Sequence, residues 1–185
     1  MSIKLQIKRT VFALGAVLLT TTAFAAVKIV GGSPMYPTKN IVENAVNSKD
    51  HTTLVAAVKA AGLVDTLMTP GPFTVFAPTN EAFKKLPKGT VESLVKPENK
   101  STLTAILTYH VVPGRLTARD LSDMVKQGGG EAMLKTVEGE SLTVTQKGRN
   151  LMVTDAKGDV SRITIADVMQ SNGVIHVVNT VLLPK

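Results

Sequence analysis

The sequence predicts an α+β domain, with helices mainly in the first half and antiparallel strands in the second. Two observations carry that expectation. Between Asn40 and Thr108 apolar residues recur at helical spacing, while from Ala132 onward short β-branched runs alternate with glycines at hairpin spacing. A nucleotide-binding βαβ fold would interleave the two patterns; this chain segregates them. At 185 residues and 44% hydrophobic content, one globular domain with a sizeable core is expected. Aromatics reach only 4% and Trp is absent, so Val, Leu, Ile, Ala and Met must fill that core.

The first 25 residues read as an address. Lys4, Lys8 and Arg9 form a positive start, Val11 to Leu19 is an apolar run, and Ala23-Phe24-Ala25 supplies the small residues of a cleavage site. Export with removal of residues 1–25 follows, to the periplasm or the extracellular space. Contact with membrane is expected only through this segment, should it stay uncleaved. Three of the seven excess positive charges lie in it, leaving +4 for the remainder. Those lysines are scattered, with one pair at Lys84-Lys85, and no basic stripe carries interleaved aromatics, so nucleic acid is not an expected partner. Cysteine is absent, so packing alone must hold the fold.

Residues 26–39 read as a leader, because Gly31-Gly32-Ser33-Pro34 and Pro37 discourage regular structure. The domain proper is expected over residues 40–185. Ile41, Val42, Ala45 and Val46 form one helical stripe. Ser48 or Asp50 is placed to cap the next helix, whose stripe is Leu54, Val55, Val58 and Ala61 and whose end is Gly62. Leu63 to Met68 adds a short continuation before Thr69-Pro70-Gly71-Pro72 breaks the chain. Phe73 to Ala77 is a strand by residue type, stopped by Pro78, and Thr79 or Asn80 caps the short helix that follows. Helices over Val91 to Val95 and Glu98 to Thr108 come next, the second burying Leu103, Ile106 and Leu107.

Beyond Pro113-Gly114, Thr117 to Met124 predicts one or two helical turns, and Gly128-Gly129-Gly130 a flexible connection. Strands are expected at Ala132–Val137, Leu142–Gln146, Leu151–Thr154, Val160–Ile165 and Val174–Val178. In the last of these, Val174, His176 and Val178 share one face and Ile175 and Val177 the other.

Three segments then align with a known pattern. Phe73-Thr74-Val75-Phe76-Ala77-Pro78-Thr79-Asn80-Glu81-Ala82-Phe83 resembles the first signature motif of fasciclin domains, and Gly173 to Pro184 resembles the second. Between them, Leu107-Thr108-Tyr109-His110-Val111-Val112 is similar to the family's central Tyr-His element. The three stand in the family's order. The resemblance implies a compact wedge of two β-sheets with flanking helices. Within these motifs Asn80, Phe83, His176 and Asn179 read as structural: Asn80 has an amide that can bridge backbone groups, and a histidine in an apolar strand is usually a hydrogen-bonded core residue.

The resemblance also implies partner-binding candidates. In animal fasciclin domains the Tyr-His region is associated with integrin-mediated adhesion, which points to Tyr109 and His110. On a strand these two would face opposite sides. A second adhesion-associated element, an Asp followed by an aliphatic residue, corresponds to Asp167-Val168. Here Ala166 stands where the animal adhesive version has proline, and Asn179 where many members have Asp. Capping of a turn is the competing role for Asp167.

Signals for catalysis are weak. No G-x-S-x-G run exists, the triple glycine lacks a following Lys-Ser or Lys-Thr, and His51, His110 and His176 lack metal-site spacing. No catalytic residue, metal or cofactor is therefore assigned. Asn99-Lys100-Ser101 matches a glycosylation sequon, with a helix cap as its other reading. The expected function is an exported, non-enzymatic binding module in cell adhesion or matrix and envelope interaction, with a protein or polysaccharide partner. The alternative is a carrier of an apolar small molecule such as a carotenoid or lipid, with Met124, Met133, Met152 and Met169 as possible groove residues.

Overall fold

The structure, a computed structural model, describes residues 26–185; the expected signal peptide lies outside the described residues. The expected leader is not irregular. Strands β1 (Lys28–Val30) and β2 (Ser33–Met35) form a hairpin, with Val30 opposite Ser33. Gly31 and Gly32 take the two positive φ angles, 58° and 78°, that a two-residue hairpin turn needs. The same glycines that argued against structure are therefore what closes it. Val30 and Met35 are buried in the main core, so this segment packs as part of the fold.

Helix α1 (Ile41–Ala45) starts in a capping box: Asn40 Oδ1 accepts from Glu43 N, and Glu43 Oε2 accepts from Asn40 N. Its buried face is Ile41 and Asn44, whereas Val46, expected in the stripe, is exposed. Helix α2 (Thr52–Ala61) ends where Gly62 turns left-handed at φ 73°. Neither Ser48 nor Asp50 caps it; the cap comes from Asn80, as described below. Helix α3 (Val64–Met68) then leads into strand β3 (Phe73–Pro78). Helices α4 (Asn80–Lys84), α5 (Thr90–Leu94) and α6 (Lys100–Tyr109) follow, with Thr79 capping α4 through the Ala82 N–H. Asn99 caps nothing; its amide donates to the Ser93 carbonyl and hydroxyl.

After the short strand β4 (Val111–Pro113), helix α7 runs over Ala118–Gln127, longer than the one or two turns expected. A second capping box, Thr117 with Asp120, explains its start. Strands β5 (Glu131–Lys135), β6 (Ser141–Lys147), β7 (Asn150–Thr154), β8 (Val160–Gln170) and β9 (Gly173–Val178) complete the chain.

Seven strands form one sheet in the order β4-β3-β9-β8-β7-β6-β5. All neighbours are antiparallel except β3 and β9, which run parallel. Strand β8 makes a wedge of this sheet. Its first residues pair with β7 and its remainder with β9, with register shifts between Ile163 and Ile165 and again between Ile165 and Val168. Bulges of this kind bend a strand, so the two expected sheets are two halves joined through β8. The fold closes further where Val137 N–H donates to the Val111 carbonyl at 2.8 Å, bringing the end of the sheet back to β4.

The period of two assigns the two cores. Val75, Ala77, Ile175 and Val177 face the helices α1, α2 and α6, while Phe76 and Val178 face the interior between the sheet halves. Leu121 and Val125 of α7 plug that interior against Leu142, Val144 and Val153. Fully burying such a side chain contributes roughly 1.5–3 kcal/mol, so α7 is anchored mainly by its apolar stripe.

Candidate functional site

The Tyr-His element is not a strand. Tyr109 is the last residue of α6 and His110 is its C-cap, so both side chains turn inward instead of facing opposite sides. The Tyr109 hydroxyl donates to the Ser141 carbonyl at 3.1 Å and accepts the Ala156 N–H at 2.9 Å. Burial pushes its phenol up to about 12. His110 Nδ1 lies 2.8 Å from the Ile106 carbonyl and Nε2 lies 3.0 Å from the Leu182 N–H. The carbonyl needs a donor and the N–H an acceptor, so Nδ1 carries the proton and the ring is neutral. Burial lowers that imidazole from its ordinary 6.5 to about 4. The pair thus ties α6 to the start of β6, to the β7–β8 connection and to the chain's last segment.

Asp167-Val168 lies inside β8, at the bulge, beyond the expected strand end at Ile165. Asp167 has φ 54°, the only non-glycine residue with positive φ among the described residues. Its Oδ1 accepts the Ala118 N–H at 2.7 Å, so the residue caps helix α7 and not a turn of its own. Its backbone N–H donates to His176 Nδ1 at 3.3 Å, and His176 Nε2 donates to the Leu116 carbonyl at 2.8 Å. His176 is buried and stacks on Phe76 with centroids 5.8 Å apart; desolvation lowers its imidazole, which favours the neutral ring these bonds require. Bulge, strand β9 and helix α7 are joined through this chain of bonds.

Of the four partner candidates, Tyr109, His110 and Val168 have at most 2% exposure, and a buried side chain offers a partner no contact surface. The half-exposed Asp167 is different. Its Oδ2 accepts no hydrogen bond from the described residues, Lys28 Nζ sits on the neighbouring Ala166 carbonyl, and the Arg119 side chain stands 91% exposed in the first turn of α7. Thr164 is exposed on the same strand. The site residue that faces solvent therefore sits in a small polar rim with Lys28 and the start of α7.

The structural residues form the frame. Asn80 Oδ1 accepts the Thr53 N–H at 3.0 Å and the Thr52 hydroxyl at 3.2 Å, while its Nδ2 donates to the Lys49 carbonyl at 2.8 Å. Phe83 is buried in the helical core. Asn179 Oδ1 accepts the Arg162 N–H at 2.9 Å, an acceptor role that aspartate would also fill. Sequence reasoning missed Asn44, Gln170 and Asn172, all buried. Asn44 Nδ2 donates to the Tyr36 carbonyl and to Gln170 Oε1; Asn172 accepts the Ile41 N–H and donates to the Leu67 and Thr69 carbonyls. Only Asn172 had a signal, the Asn-Gly pair that marks the turn before β9.

The four methionines do not form a groove: Met133 is 69% exposed, and Met124, Met152 and Met169 sit half-buried on separate elements. An apolar cavity of about 90 Å³ lies elsewhere, between the β1–β2 hairpin, α1–α3 and the β3–β9 face. Among the described residues no three His, Cys, Asp or Glu side chains gather where they could hold a metal ion.

A wedge-shaped sheet bent at one bulged strand, with buried histidines bonding its corners to the backbone, defines the class: a fasciclin-type α+β domain. The Fasciclin domain family matches residues 49–184, and the chain belongs to that family. It is 51% identical over 147 residues to protein sll1483 of Synechocystis, covering 78% of this chain and 73% of that one. It is 38% identical over 131 residues to transforming growth factor-beta-induced protein ig-h3 of Sus scrofa, covering 71% of this chain but only 17% of that protein. Among solved structures, a FAS1 domain pair from the insect cell adhesion molecule Fasciclin I superposes with a TM-score of 0.71 at 19% identity, over 78% of this chain and 51% of that one.

Proposed function

We propose that this chain is an exported, non-enzymatic binding module that recognises a protein or polysaccharide of the cell surface, envelope or matrix through the polar rim around Asp167. The observation that carries the reading is the position of Asp167. Its backbone is held in a conformation costing about 1–2 kcal/mol, one carboxylate oxygen is committed to Ala118, and the other is free. Strain kept at a half-exposed residue motivates a functional reading. Lys28 alongside makes the rim mixed in charge, which suits polar recognition.

Support also comes from what the other motif residues are occupied with. His51, His110 and His176 are buried at separate places in the fold, before α2, after α6 and within β9. The signature segments serve as framework, and recognition falls to the surface they hold in place. Membership of a family that includes an insect cell adhesion molecule is consistent with adhesion. Export rests on the N-terminal segment; among the described residues no helix is long and apolar enough to cross a membrane.

The test is a crosslinking pull-down from envelope and matrix fractions with the protein and its Asp167→Asn variant. Asparagine keeps the acceptor for Ala118 and tolerates positive φ, but removes the charge. Capture of a surface component by the wild type, weakened about tenfold in the variant at an unchanged unfolding midpoint, is expected. Equal capture by both, or capture of no surface component, rejects the reading.

A further inference from the structure

The apolar cavity of about 90 Å³ lies beneath the β1–β2 hairpin, on the opposite side of the sheet from the α7 plug. Met35, Ile41, Leu54, Val58, Leu67 and Ile175 are among its lining side chains. Its exposed lining residues are Lys59 of α2, Thr66 of α3 and Val137 beyond β5, so the gap between α2 and α3 is one way out. Two imidazoles interrupt this surface; His110 has both ring nitrogens bonded, and His51 does not. His51 is 3% exposed; its Nδ1 lies 2.8 Å from the Ser48 hydroxyl, and its Nε2 has no hydrogen-bond partner. The Ala77 carbonyl faces the ring and favours its protonated form, less than burial opposes it, and no bond of hydrogen-bond geometry forms.

Among the described residues this is the one buried side-chain nitrogen or oxygen left without a partner. Leaving it so is costly, because the group has lost water and gained nothing. A single water is a poor remedy. Buried waters typically hold about three hydrogen bonds, and an apolar lining with one imidazole nitrogen supplies too few. At roughly 30 Å³ for each water-sized group, the volume has room for about three heavy atoms, with more extending through the opening.

We infer that this cavity binds a small amphipathic alcohol, its hydroxyl on His51 Nε2 and its alkyl chain running along the apolar lining toward the opening between α2 and α3. A hydroxyl matches for a specific reason. Ser48 can either donate to Nδ1 or accept from it, and a ligand hydroxyl can likewise accept from Nε2 or donate to it, so the chain of bonds closes in both tautomers. A charged head group fits worse. At the His51 end the lining is apolar and burial holds the imidazole below its ordinary range, so no counter-charge stands ready there; the Lys59 ammonium is at the opening. This site is independent of the Asp167 rim, and it puts the small-molecule alternative in a place where the four candidate methionines take no part.

The experiment titrates the full chain with 1-hexanol and with 1-chlorohexane, following imidazole nitrogen and backbone amide resonances. Saturable shifts at His51 and the lining residues are expected, with the alcohol bound about fivefold tighter than the chloroalkane, the worth of one neutral hydrogen bond. His51→Phe should erase that preference while keeping hydrocarbon binding. Should His51→Phe fail to fold, Val58→Phe, which fills the cavity and leaves the imidazole, should abolish binding of both compounds. Equal affinity for the two compounds in the wild type, a non-saturating response, or shifts unaltered by Val58→Phe would each overturn the assignment.

Discussion

The carboxylate of Asp167 in β8 accepts the N–H of Ala118 at 2.7 Å and so caps helix α7 from 49 residues away. The helix already has its own box in Thr117 and Asp120. The second cap therefore fixes where α7 sits against the bulge as well as how it starts.

Asp167→Ala removes that acceptor and leaves a methyl at positive φ. A loss of about 1–2 kcal/mol is expected, against less than about 0.5 kcal/mol for Asp167→Asn. Urea unfolding of the two variants beside wild type measures the difference. Equal losses would show that the charge and not the cap matters.

Acid should weaken the fold through His110. The unfolded imidazole takes up a proton near 6.5, the folded one only near 4, so between those values the unfolded state binds more protons. Stability is complete above about pH 6.5 and falls as pH drops toward 4, by on the order of 3 kcal/mol from this residue. Burial shifts His51 and His176 in the same direction. His110→Gln should flatten the slope by up to one proton in urea titrations run from pH 7.5 to 4. A wild-type stability that rises on acidification would contradict the buried neutral ring.

Asn80→Ala severs three bonds at one corner, including the cap on α2 at Thr53. A cost of about 1–2 kcal/mol is expected by thermal unfolding. Asn80→Asp retains the acceptor for Thr53 and loses the donor to Lys49, so it should fall between. If Asn80→Ala melts with the wild type, the corner is held by packing alone.

Gly173→Ala tests the parallel pairing of β3 and β9. A Cβ there would stand 2.1 Å from the Phe73 carbonyl oxygen and 3.0 Å from its carbon and nitrogen, all backbone atoms that cannot swing aside. A loss above about 4 kcal/mol or failure to fold is expected. Gly148→Ala, at φ 61° with open space around it, should cost only about 1–2 kcal/mol. Comparable soluble yields and melting temperatures for the two would refute the steric account.

Much of the fold was legible because its signals are local. Phe73 to Ala77 reads as a strand from residue type, Pro78 stops it, and Thr79 caps α4 within three residues. Gly62 ends α2 by the same kind of short-range rule. The candidate site was less legible. Tyr109 and His110 stand at a helix end expected at Thr108, and the extension of the helix to Tyr109 decides whether they diverge or both point inward. Asp167 was expected past a strand ending at Ile165; the bulge that carries β8 on to Gln170 is stabilised by His176 and Ala118, neither of them near in sequence.

The chain by itself determined the segregation of helices from strands, the alternating faces of β9 and most caps, because these depend on residues within about four positions of one another. Tertiary structure alone decided that Asn80 caps α2, that Gly31-Gly32 closes a packed hairpin, that Asn44 meets Gln170, and that three of the four partner candidates are interior. Each of these is set by the need to pair a buried polar group or cover an apolar face across a long stretch of chain, and such partners are chosen by packing in space and not by spacing in sequence.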